Sequence, residues 1–291
     1  MKILVTGASG LIGRELCYVA EKEGHKVYSA YHKVKPEFGE AIELDITNRE
    51  SVRRAVQDKR PEWMVHLATL TDVDRCEIEK KEARRINAYS TELIAKEANA
   101  QSTFLIYVST DYVFDGEKGL YREEDNPEPI NYYGTTKLMG EHSVRDFAAE
   151  WCIARTSTPF GRHPNRISFP KFVIERLSKG QGIKVVEDQY TSPTSTSNLA
   201  LMLLEIAERR INGYVHASGA TRISRLELAL LVAEKMNLRR ELITATRMES
   251  MGWRAKRPRD SSLSVKKATS LLKNKPKEIL ESIEEFLHAN A

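Results

Sequence analysis

The first 110 residues alternate between short apolar runs and longer stretches in which apolar and polar positions recur at helical spacing. The short runs are rich in β-branched or aromatic residues and end at turn residues, which predicts strands. The predicted strands lie at residues 2–5, 26–30, 64–67 and 104–109. The predicted helices between them lie at residues 11–24, 49–59 and 83–100. This alternation predicts an α/β fold with a doubly wound parallel sheet, because right-handed crossovers place helices on both of its faces.

The second half of the chain is less regular. A polar, proline-containing loop at residues 116–130 precedes a helical pattern at residues 132–150. Further helices are predicted at residues 171–179, 197–209, 224–236 and 276–288, with strands at 152–155, 183–186 and 213–217. No internal repeat or low-complexity linker separates the two halves, so we expect two lobes joined by an intimate seam.

Composition narrows the class of protein. Apolar residues make up 41% of the 291 residues and charged residues 30%, which is ordinary for a globular chain. The longest apolar runs, at 199–204 and 228–233, are far shorter than the about 20 residues that cross a membrane. The N-terminus lacks a signal-peptide layout, and the spacing of Cys17, Cys76 and Cys152 fits neither a disulfide framework nor a metal motif. We therefore expect a cytoplasmic protein without a membrane segment.

Glycines recur at every third position where the first predicted strand meets the first predicted helix. The segment reads Thr6-Gly7-Ala8-Ser9-Gly10-Leu11-Ile12-Gly13. Without Cβ atoms the turn can be tight and a pyrophosphate can approach the backbone, while the N–H groups of the helix N-terminus attract negative charge. In this context the spacing predicts a dinucleotide-binding, Rossmann-type domain, with Ser9 among the contacts. The alternative is a tight turn that binds nothing.

The end of the second predicted strand indicates which dinucleotide is preferred. An acidic residue there bonds the ribose 2′-hydroxyl of NAD, whereas a cation accepts the 2′-phosphate of NADP. The chain has His32 and Lys33 at this place and no acid before Glu37, so we predict NADP(H) as the preferred cofactor and NAD(H) as the alternative. The competing interpretation is that both residues are solvated. Asp45 and Ile46 follow a further short apolar stretch and are predicted to contact the adenine.

Tyr133 and Lys137 stand four residues apart in a predicted helix, which places both side chains on one face. A free tyrosine, with a pKa of about 10, is a poor acid–base catalyst at neutral pH. An adjacent ammonium and an oxidised nicotinamide lower that pKa, so that the phenol can protonate a carbonyl oxygen as hydride reaches its carbon. Lys137 can also hold the nicotinamide ribose. The hydroxyl of Thr110, at a predicted strand end, can orient the carbonyl.

These motifs together resemble those of the extended short-chain dehydrogenases/reductases, and more narrowly those of the dTDP-4-dehydrorhamnose reductase family. The narrower resemblance lies in residues 108–116, 131–141, 188–194 and 257–263. It spans essentially the whole chain and implies an NAD(P)-binding Rossmann domain at residues 1–160. A smaller substrate-binding lobe is implied at 161–291, some segments of which return to the first domain. The implied reaction is hydride transfer from NADPH or NADH to C4 of a dTDP-linked 4-keto-6-deoxy sugar, which would convert dTDP-4-dehydrorhamnose to dTDP-L-rhamnose.

The resemblance also assigns roles to single residues. It makes Thr110 the hydroxyl partner, Tyr133 the general acid and Lys137 the ribose-binding lysine. Residues that it places along the dinucleotide are Gly7, Gly10, Leu11, Ile12, Asp45, Ile46, Ala68 and Thr69.

One departure from the family pattern concerns the sugar. After residues 155–157 the reductases usually have a tryptophan that packs against the sugar, and this chain has Thr158 there. Phe160 and Trp253 are the candidate replacements, although each fits a core position equally well. The exact sugar is therefore left open by the sequence.

Predicted substrate contacts beyond Thr110 are Asp111, its neighbour, and Arg257. Arg257 lies in a basic, proline-broken loop, where its guanidinium can bind a nucleotide diphosphate or simply be solvated. His142 and His163 lack partners at metal spacing, so we predict no metal. The basic stretches lack interleaved aromatic residues, so we predict no nucleic-acid partner. A homodimer is compatible with the sequence.

Two other functions stay open. Residues 121–127 and 257–259 also resemble the regulatory beta subunit of methionine adenosyltransferase, which shares the fold and the NADP site but acts as a binding partner. Similarity at the level of the fold does not separate such a subunit from an enzyme. A nucleotide-sugar epimerase of the same superfamily is the third alternative, and it would show no net consumption of NADPH.

Overall fold

A seven-stranded sheet forms the centre of the structure, a computed structural model that describes residues 1–288. The strands are β1 (Lys2–Thr6), β2 (Lys26–Tyr31), β3 (Glu40–Glu43), β4 (Trp63–His66), β5 (Phe104–Thr110), β6 (Trp151–Thr156), β7 (Pro159–Phe160), β8 (Ile183–Val186), β9 (Tyr190–Thr191), β10 (Thr194–Ser195), β11 (Gly213–His216), β12 (Ile223–Ser224) and β13 (Ile243–Thr246). The α-helices are α1 (Leu11–Lys22), α2 (Arg49–Lys59), α3 (Val73–Ile78), α4 (Lys80–Arg84), α5 (Ser90–Ala100), α6 (Tyr132–Phe147), α7 (Phe169–Ser178), α8 (Thr196–Glu208), α9 (Arg225–Lys235), α10 (Lys266–Leu271) and α11 (Ile279–His288).

The strand order of the main sheet is β11-β6-β5-β4-β1-β2-β3, and every neighbouring pair is parallel. The chain winds outward from β1 in both directions, so the predicted doubly wound α/β fold is confirmed. Because the strands run the same way, their carboxyl ends meet at one edge of the sheet. The reversal of winding between β1 and β4 opens a crevice at that edge, where such folds bind ligands.

Two hydrophobic layers cover the faces of the sheet. On one face, Leu16 of α1 and Leu203 of α8 are buried in the same cluster as Val5. On the other face, Ile94 of α5 is buried in the same cluster as Leu4. Leu4 and Val5 are neighbours in β1 and point to opposite faces, as the period of two in a strand requires. Burial on both faces explains why this strand is continuously apolar in sequence.

A third hydrophobic cluster holds the C-terminal lobe together. Its buried members include Val173 of α7, Leu228 of α9 and Ile283 of α11. α8 and β11 belong to the main sheet instead, because α8 packs on α1 and β11 pairs with β6. The chain therefore passes from the lobe to the sheet and back, and the division into residues 1–160 and 161–291 stays a prediction.

The structure differs from the predicted elements in several places. Eight short elements were not predicted, because each has at most six residues and gives little periodic signal: β3, β7, β9, β10, β12, β13, α3 and α10. The predicted helix at residues 83–100 is interrupted by a π-helical turn at Arg85–Tyr89, between α4 and α5. Turns of this kind occur frequently at functional sites. The helix predicted at residues 132–150 ends earlier, at Phe147.

A buried ion pair joins α6 to β6. The guanidinium of Arg155 donates to both carboxylate oxygens of Glu141, at 3.0 Å and 2.7 Å, and both side chains are buried. Arg155 also lies against the rings of Phe114 and Tyr214, 5.0 Å and 4.7 Å from their centroids. Since Glu141 follows Lys137 by one helical turn, the pair helps to fix the rotation of α6 on the sheet.

Replacing Arg155 with Met should lower the free energy of unfolding by about 3–5 kcal/mol, because it leaves a buried carboxylate without a partner. Denaturant unfolding of the purified variants measures this difference. The double variant Glu141→Gln/Arg155→Met should recover part of the loss, since no buried charge then remains unpaired. A single variant as stable as the wild type would contradict this account of the pair.

Candidate active site

A cavity of about 920 Å³ opens at the carboxyl edge of the sheet, between the loops that follow β1, β2, β4 and β5 and the C-terminal lobe. The predicted catalytic and cofactor-binding residues all line this cavity. They are Gly7, Ser9, Gly10, Leu11, Ile12, Gly13, His32, Lys33, Asp45, Ile46, Ala68, Thr69, Thr110, Tyr133 and Lys137. Asp111 lines it as well, whereas Arg257 does not. Residues that lie far apart in sequence thus meet at one edge of the parallel sheet.

The glycine turn has the geometry that a dinucleotide pyrophosphate needs. Gly7 has a φ of +69°, and a Cβ there would lie 2.8 Å from the backbone nitrogen of Ala68. The turn therefore requires glycine for both conformation and space. Gly10 caps α1 without a side-chain hydrogen bond, so N–H groups of the first turn are left for an anion. These observations fit a bound dinucleotide at this place.

A buried hydrogen-bond network fixes the turn against the loop after β4. Thr6 Oγ1 accepts from the N–H groups of Leu67 and Ala68 at 3.1 Å and 3.2 Å, so its own proton donates to His66 Nδ1 at 2.7 Å. His66 Nε2 then carries the ring proton and donates to Thr91 Oγ1 at 3.1 Å. Burial lowers the pKa of His66 to about 3, which keeps the ring neutral. The network holds the ends of β1 and β4 at a fixed separation.

The distal end of the cavity combines the carboxylates of Asp45 and Glu82 with cationic side chains. Asp45 accepts from the N–H of Thr47 at 2.9 Å and from its hydroxyl at 2.7 Å. Burial opposes ionisation of Asp45, but these hydrogen bonds outweigh it and leave the pKa lowered. Arg85 is held by Glu82, whereas Lys33 is in no ion pair within residues 1–288. Lys33 is therefore free to bind an anionic group at this end.

Lys137 occupies the interior of the site. Its Nζ donates to the carbonyl of Val108 at 2.8 Å and lies 4.1 Å from the ring centroid of Tyr107. The side chain is buried, and burial lowers the pKa of its ammonium to about 7, although Glu141 partly opposes this. Lys137 also lines the cavity, so its remaining donors can reach a ligand.

Tyr133 lies one turn before Lys137 on α6, whose N-terminus is capped by Asn131. Burial raises the pKa of Tyr133 above its usual value, and a hydrogen bond with Thr110 opposes this only in part. From the sequence, the lysine ammonium was expected to lower this pKa. The protein side chains alone have the opposite effect, because desolvation of the phenolate outweighs the interactions that favour it. The phenol is therefore protonated at neutral pH and suited to donate.

Asp111 orients the hydroxyl of Thr110. Thr110 Oγ1 donates to Asp111 Oδ1 at 3.0 Å and accepts from the N–H of Tyr112 at 3.1 Å. Asp111 Oδ2 accepts from the hydroxyls of Ser157 at 2.8 Å and Ser261 at 2.5 Å. Burial raises the pKa of Asp111, and the three hydroxyls counteract that shift. When Thr110 turns its proton toward a carbonyl oxygen, the two serines still satisfy the carboxylate. Direct contact of Asp111 with substrate stays a prediction.

Arg257 is engaged within the protein. Its Nη1 and Nη2 each lie 3.1 Å from a carboxylate oxygen of Asp74, and its guanidinium lies 5.1 Å from the ring centroid of Trp253. The loop that carries it is therefore anchored to α3 and is not a freely solvated basic segment. Its predicted role as a phosphate ligand stays a prediction.

The two aromatic residues that were candidates for packing against the sugar do not line the cavity. Phe160 is 1% exposed within the cluster of the C-terminal lobe, and Trp253 packs against Arg257. Thr158 does line the cavity at the position of the missing tryptophan. The aromatic residues that line the cavity within residues 1–288 are Tyr31, Tyr112 and Tyr133.

Asn87, in the π-helical turn, is a site residue that the sequence reasoning missed. Its Oδ1 accepts from the hydroxyl of Thr69 and the N–H of Leu70, both at 2.7 Å. Its Nδ2 donates to the Leu70 carbonyl at 3.1 Å and to Thr136 Oγ1 at 3.0 Å. The amide thereby ties the loop after β4 to the catalytic face of α6. The available signal was an asparagine inside a predicted helix, where this residue type competes with the backbone.

Arg166 and Arg225 were also missed, and both line the cavity from the C-terminal lobe.

Two further predictions concern absences. In the described part of the chain no three His, Cys, Asp or Glu side chains are grouped to hold a metal ion, and no helix is long and apolar enough to cross a membrane. The predicted absence of a metal requirement stays a prediction.

A tyrosine and a lysine one helical turn apart, set against a dinucleotide turn on a parallel sheet, define the class of extended short-chain dehydrogenases/reductases. The family described as the RmlD substrate binding domain matches residues 1–291. The chain belongs to this family, and it is an NAD(P)H-dependent oxidoreductase of the dTDP-4-dehydrorhamnose reductase type.

The chain is similar both to a reductase and to a regulatory subunit of methionine adenosyltransferase. A dTDP-4-dehydrorhamnose reductase from Aggregatibacter actinomycetemcomitans is 33% identical over 91% of this chain and 91% of its own length. Methionine adenosyltransferase 2 subunit beta from Pongo abelii is 31% identical over 93% of this chain and 82% of its own length.

Solved structures are similar over nearly the full length. A hypothetical dTDP-4-dehydrorhamnose reductase from Sulfolobus tokodaii has 39% identity and a TM-score of 0.88, with 97% of this chain and 99% of that chain covered. The dTDP-4-dehydrorhamnose reductase from Bacillus anthracis, solved in complex with NADP, has 30% identity and a TM-score of 0.91, with 99% of each chain covered.

The buried ammonium predicts a pH dependence of stability. Since the folded pKa of Lys137 is about 7 and the unfolded value is about 10.4, the unfolded chain binds more protons between these values. Relative to Lys137→Met, the wild type should therefore gain stability as pH rises through this window, by at most about 1.4 kcal/mol per pH unit.

Denaturant unfolding of the cofactor-free protein at several pH values checks this, with Lys179→Met, an exposed lysine at the end of α7, as the matched control. Parallel stability curves for wild type and Lys137→Met would contradict a lowered pKa.

Proposed function

We propose that the protein reduces a dTDP-linked 4-keto-6-deoxy sugar at C4, with NADPH as the preferred hydride donor and dTDP-4-dehydrorhamnose as the substrate. The product is then dTDP-L-rhamnose. The observation that carries the proposal is that Thr110, Tyr133 and Lys137 line the same cavity as the dinucleotide turn. The names of the similar reductases, and the NADP in one of their structures, support it.

NADPH, when bound, supplies the hydride for the carbonyl carbon. The first turn of α1 and Gly7 would hold its pyrophosphate, Asp45 and Ile46 would contact the adenine, and Lys33 would bind the 2′-phosphate. NADH remains the alternative donor. Lys137 has donors that face the cavity and would hold the nicotinamide ribose, which aims the hydride.

The chain supplies the proton for the carbonyl oxygen. Tyr133 is protonated at neutral pH, as burial requires, and gives its phenolic proton as the carbon–oxygen double bond is reduced. The phenolate that remains is stabilised by the ammonium of Lys137. Thr110 orients the carbonyl once its own proton turns away from Asp111. The hydride and this proton together convert the ketone to an alcohol, and solvent returns a proton to Tyr133.

Two other functions are outcomes of the same assay. A regulatory NADP-binding subunit is supported by the similarity to methionine adenosyltransferase 2 subunit beta, and it would bind NADPH tightly without turnover. An epimerase would convert its substrate with no net loss of NADPH. A homodimer, a cytoplasmic location and the absence of a nucleic-acid partner stay predictions, and each is open to direct test.

Replacing Tyr133 with Phe should lower turnover by a factor of about 10²–10⁴, because it removes the proton donor and little else. NADPH oxidation with enzymatically prepared dTDP-4-keto-6-deoxy sugar, followed at 340 nm, measures the rate. Tyr132→Phe is the matched control, since Tyr132 does not line the cavity and should keep wild-type activity. NADPH affinity should be similar in all three proteins. Near-normal turnover in Tyr133→Phe would refute the catalytic assignment.

Replacing Lys33 with Ala should weaken NADPH binding by about tenfold and leave NADH binding almost unchanged, because only NADPH carries the 2′-phosphate. Fluorescence titration with both cofactors gives the two dissociation constants. Lys35→Ala is the matched control, since Lys35 is equally exposed and lies outside the cavity lining. Equal losses for both cofactors would contradict a 2′-phosphate contact.

A further inference from the structure

Arg225 projects from the C-terminal lobe into the catalytic cavity. It is the first residue of α9, whose N-terminus is held by a capping box between Ser224 and Glu227. Its backbone N–H donates to the carbonyl of Gln189 at 3.0 Å, and its guanidinium lies 5.0 Å from the ring centroid of Phe169. The side chain is half-buried and lines the cavity. Its position is thus fixed by packing and by the backbone.

The charge of Arg225 has no counterion in the described chain. Within residues 1–288 no carboxylate lies within ion-pair distance of its guanidinium. Burial also disfavours the charged form and lowers the pKa of Arg225. Asp111 acts on it electrostatically, but the oxygens of that carboxylate already accept from Thr110, Ser157 and Ser261. A partly desolvated guanidinium of this kind is suited to an anionic ligand.

The location of Arg225 relates it to the substrate side of the site. Its charge acts on Tyr112 and Asp111, the two residues that follow Thr110 in the chain. The phosphates of the dinucleotide are accounted for elsewhere, by the turn after β1 and by Lys33 after β2. The anionic groups that remain are the phosphates of the nucleotide-sugar substrate.

We propose that Arg225 binds the diphosphate of the nucleotide-sugar substrate and so determines the preference for a diphosphate-activated sugar. The inference rests on the proposed function for the identity of the sugar. A guanidinium offers two parallel donors to phosphate oxygens, a geometry that a lysine ammonium lacks. The charge of Arg257, the candidate from sequence, also acts on Tyr112, but Asp74 holds both of its terminal nitrogens and it does not line the cavity. Arg225 is therefore the better placed guanidinium.

Titration with thymidine diphosphate tests the site. The full-length protein is first saturated with NADP⁺, so that the probe cannot occupy the dinucleotide turn. Arg225→Gln should weaken thymidine diphosphate at least about tenfold, and Arg225→Lys should fall between it and the wild type. Arg176→Gln is the matched control. Arg225 and Arg176 each lie over a phenylalanine ring of α7, Phe169 and Phe172 respectively, but Arg176 does not line the cavity. This control variant should bind the probe as the wild type does.

Two further titrations separate charge recognition from a structural effect. Affinities for NADP⁺ and for thymidine, which lacks phosphate, should be the same in wild type and Arg225→Gln. Unchanged affinity of Arg225→Gln for thymidine diphosphate would overturn the proposal, as would an equal loss for thymidine or no binding to the wild type. If the wild type binds the probe through Arg225 yet fails to oxidise NADPH with the keto sugar, the proposed function is refuted and the diphosphate site stands.

Discussion

The buried ammonium of Lys137 imposes the main constraint on the site. An ammonium has three donors, and in the interior each needs a partner or the charge is lost. The chain provides the Val108 carbonyl and the face of Tyr107, which requires α6 to lie close against β5. Gly140 makes this approach possible, because a Cβ there would collide with the ring and hydroxyl of Tyr107. The depth of Lys137 therefore determines where α6 lies, and with it the position of Tyr133.

Two polar contacts also fix α6 relative to neighbouring elements of the site. The amide of Asn87 bonds Thr136 on α6 and also the backbone of Leu70, so the loop that lines the cofactor side cannot shift independently of the catalytic helix. The ion pair of Glu141 with Arg155 anchors the next turn of α6 to β6. Since hydride transfer needs a fixed relation between nicotinamide, carbonyl and proton donor, rigidity between these elements suits the proposed reaction.

Local signals in the sequence were sufficient to predict which residues line the cavity around the glycine turn. A glycine turn after a strand, or a tyrosine–lysine pair on a helix, is defined by neighbouring residues, and a parallel sheet brings such segments to one edge. Arg225 and Arg257 depend instead on long-range partners. Nothing near Arg257 in sequence reveals that Asp74 holds it, and nothing near Arg225 reveals that Asp111 is already occupied. The same reason hides Asn87, whose partners belong to two other segments, and β3, an edge strand too polar to form an apolar run.

The cavity differs from the family pattern mainly in how it would hold a sugar. Thr158 replaces the usual tryptophan, and the two other candidate rings are used inside the protein, Phe160 in a core cluster and Trp253 against Arg257. A site without that ring has less apolar surface to offer a pyranose, and more of its affinity has to come from polar and charged groups. A charged side chain can bind the phosphates, but it does not distinguish the stereochemistry of the sugar ring. We therefore expect discrimination among related keto sugars to depend on the polar groups around Thr110 and Tyr112, where the hydrogen bonds of Asp111 set the geometry.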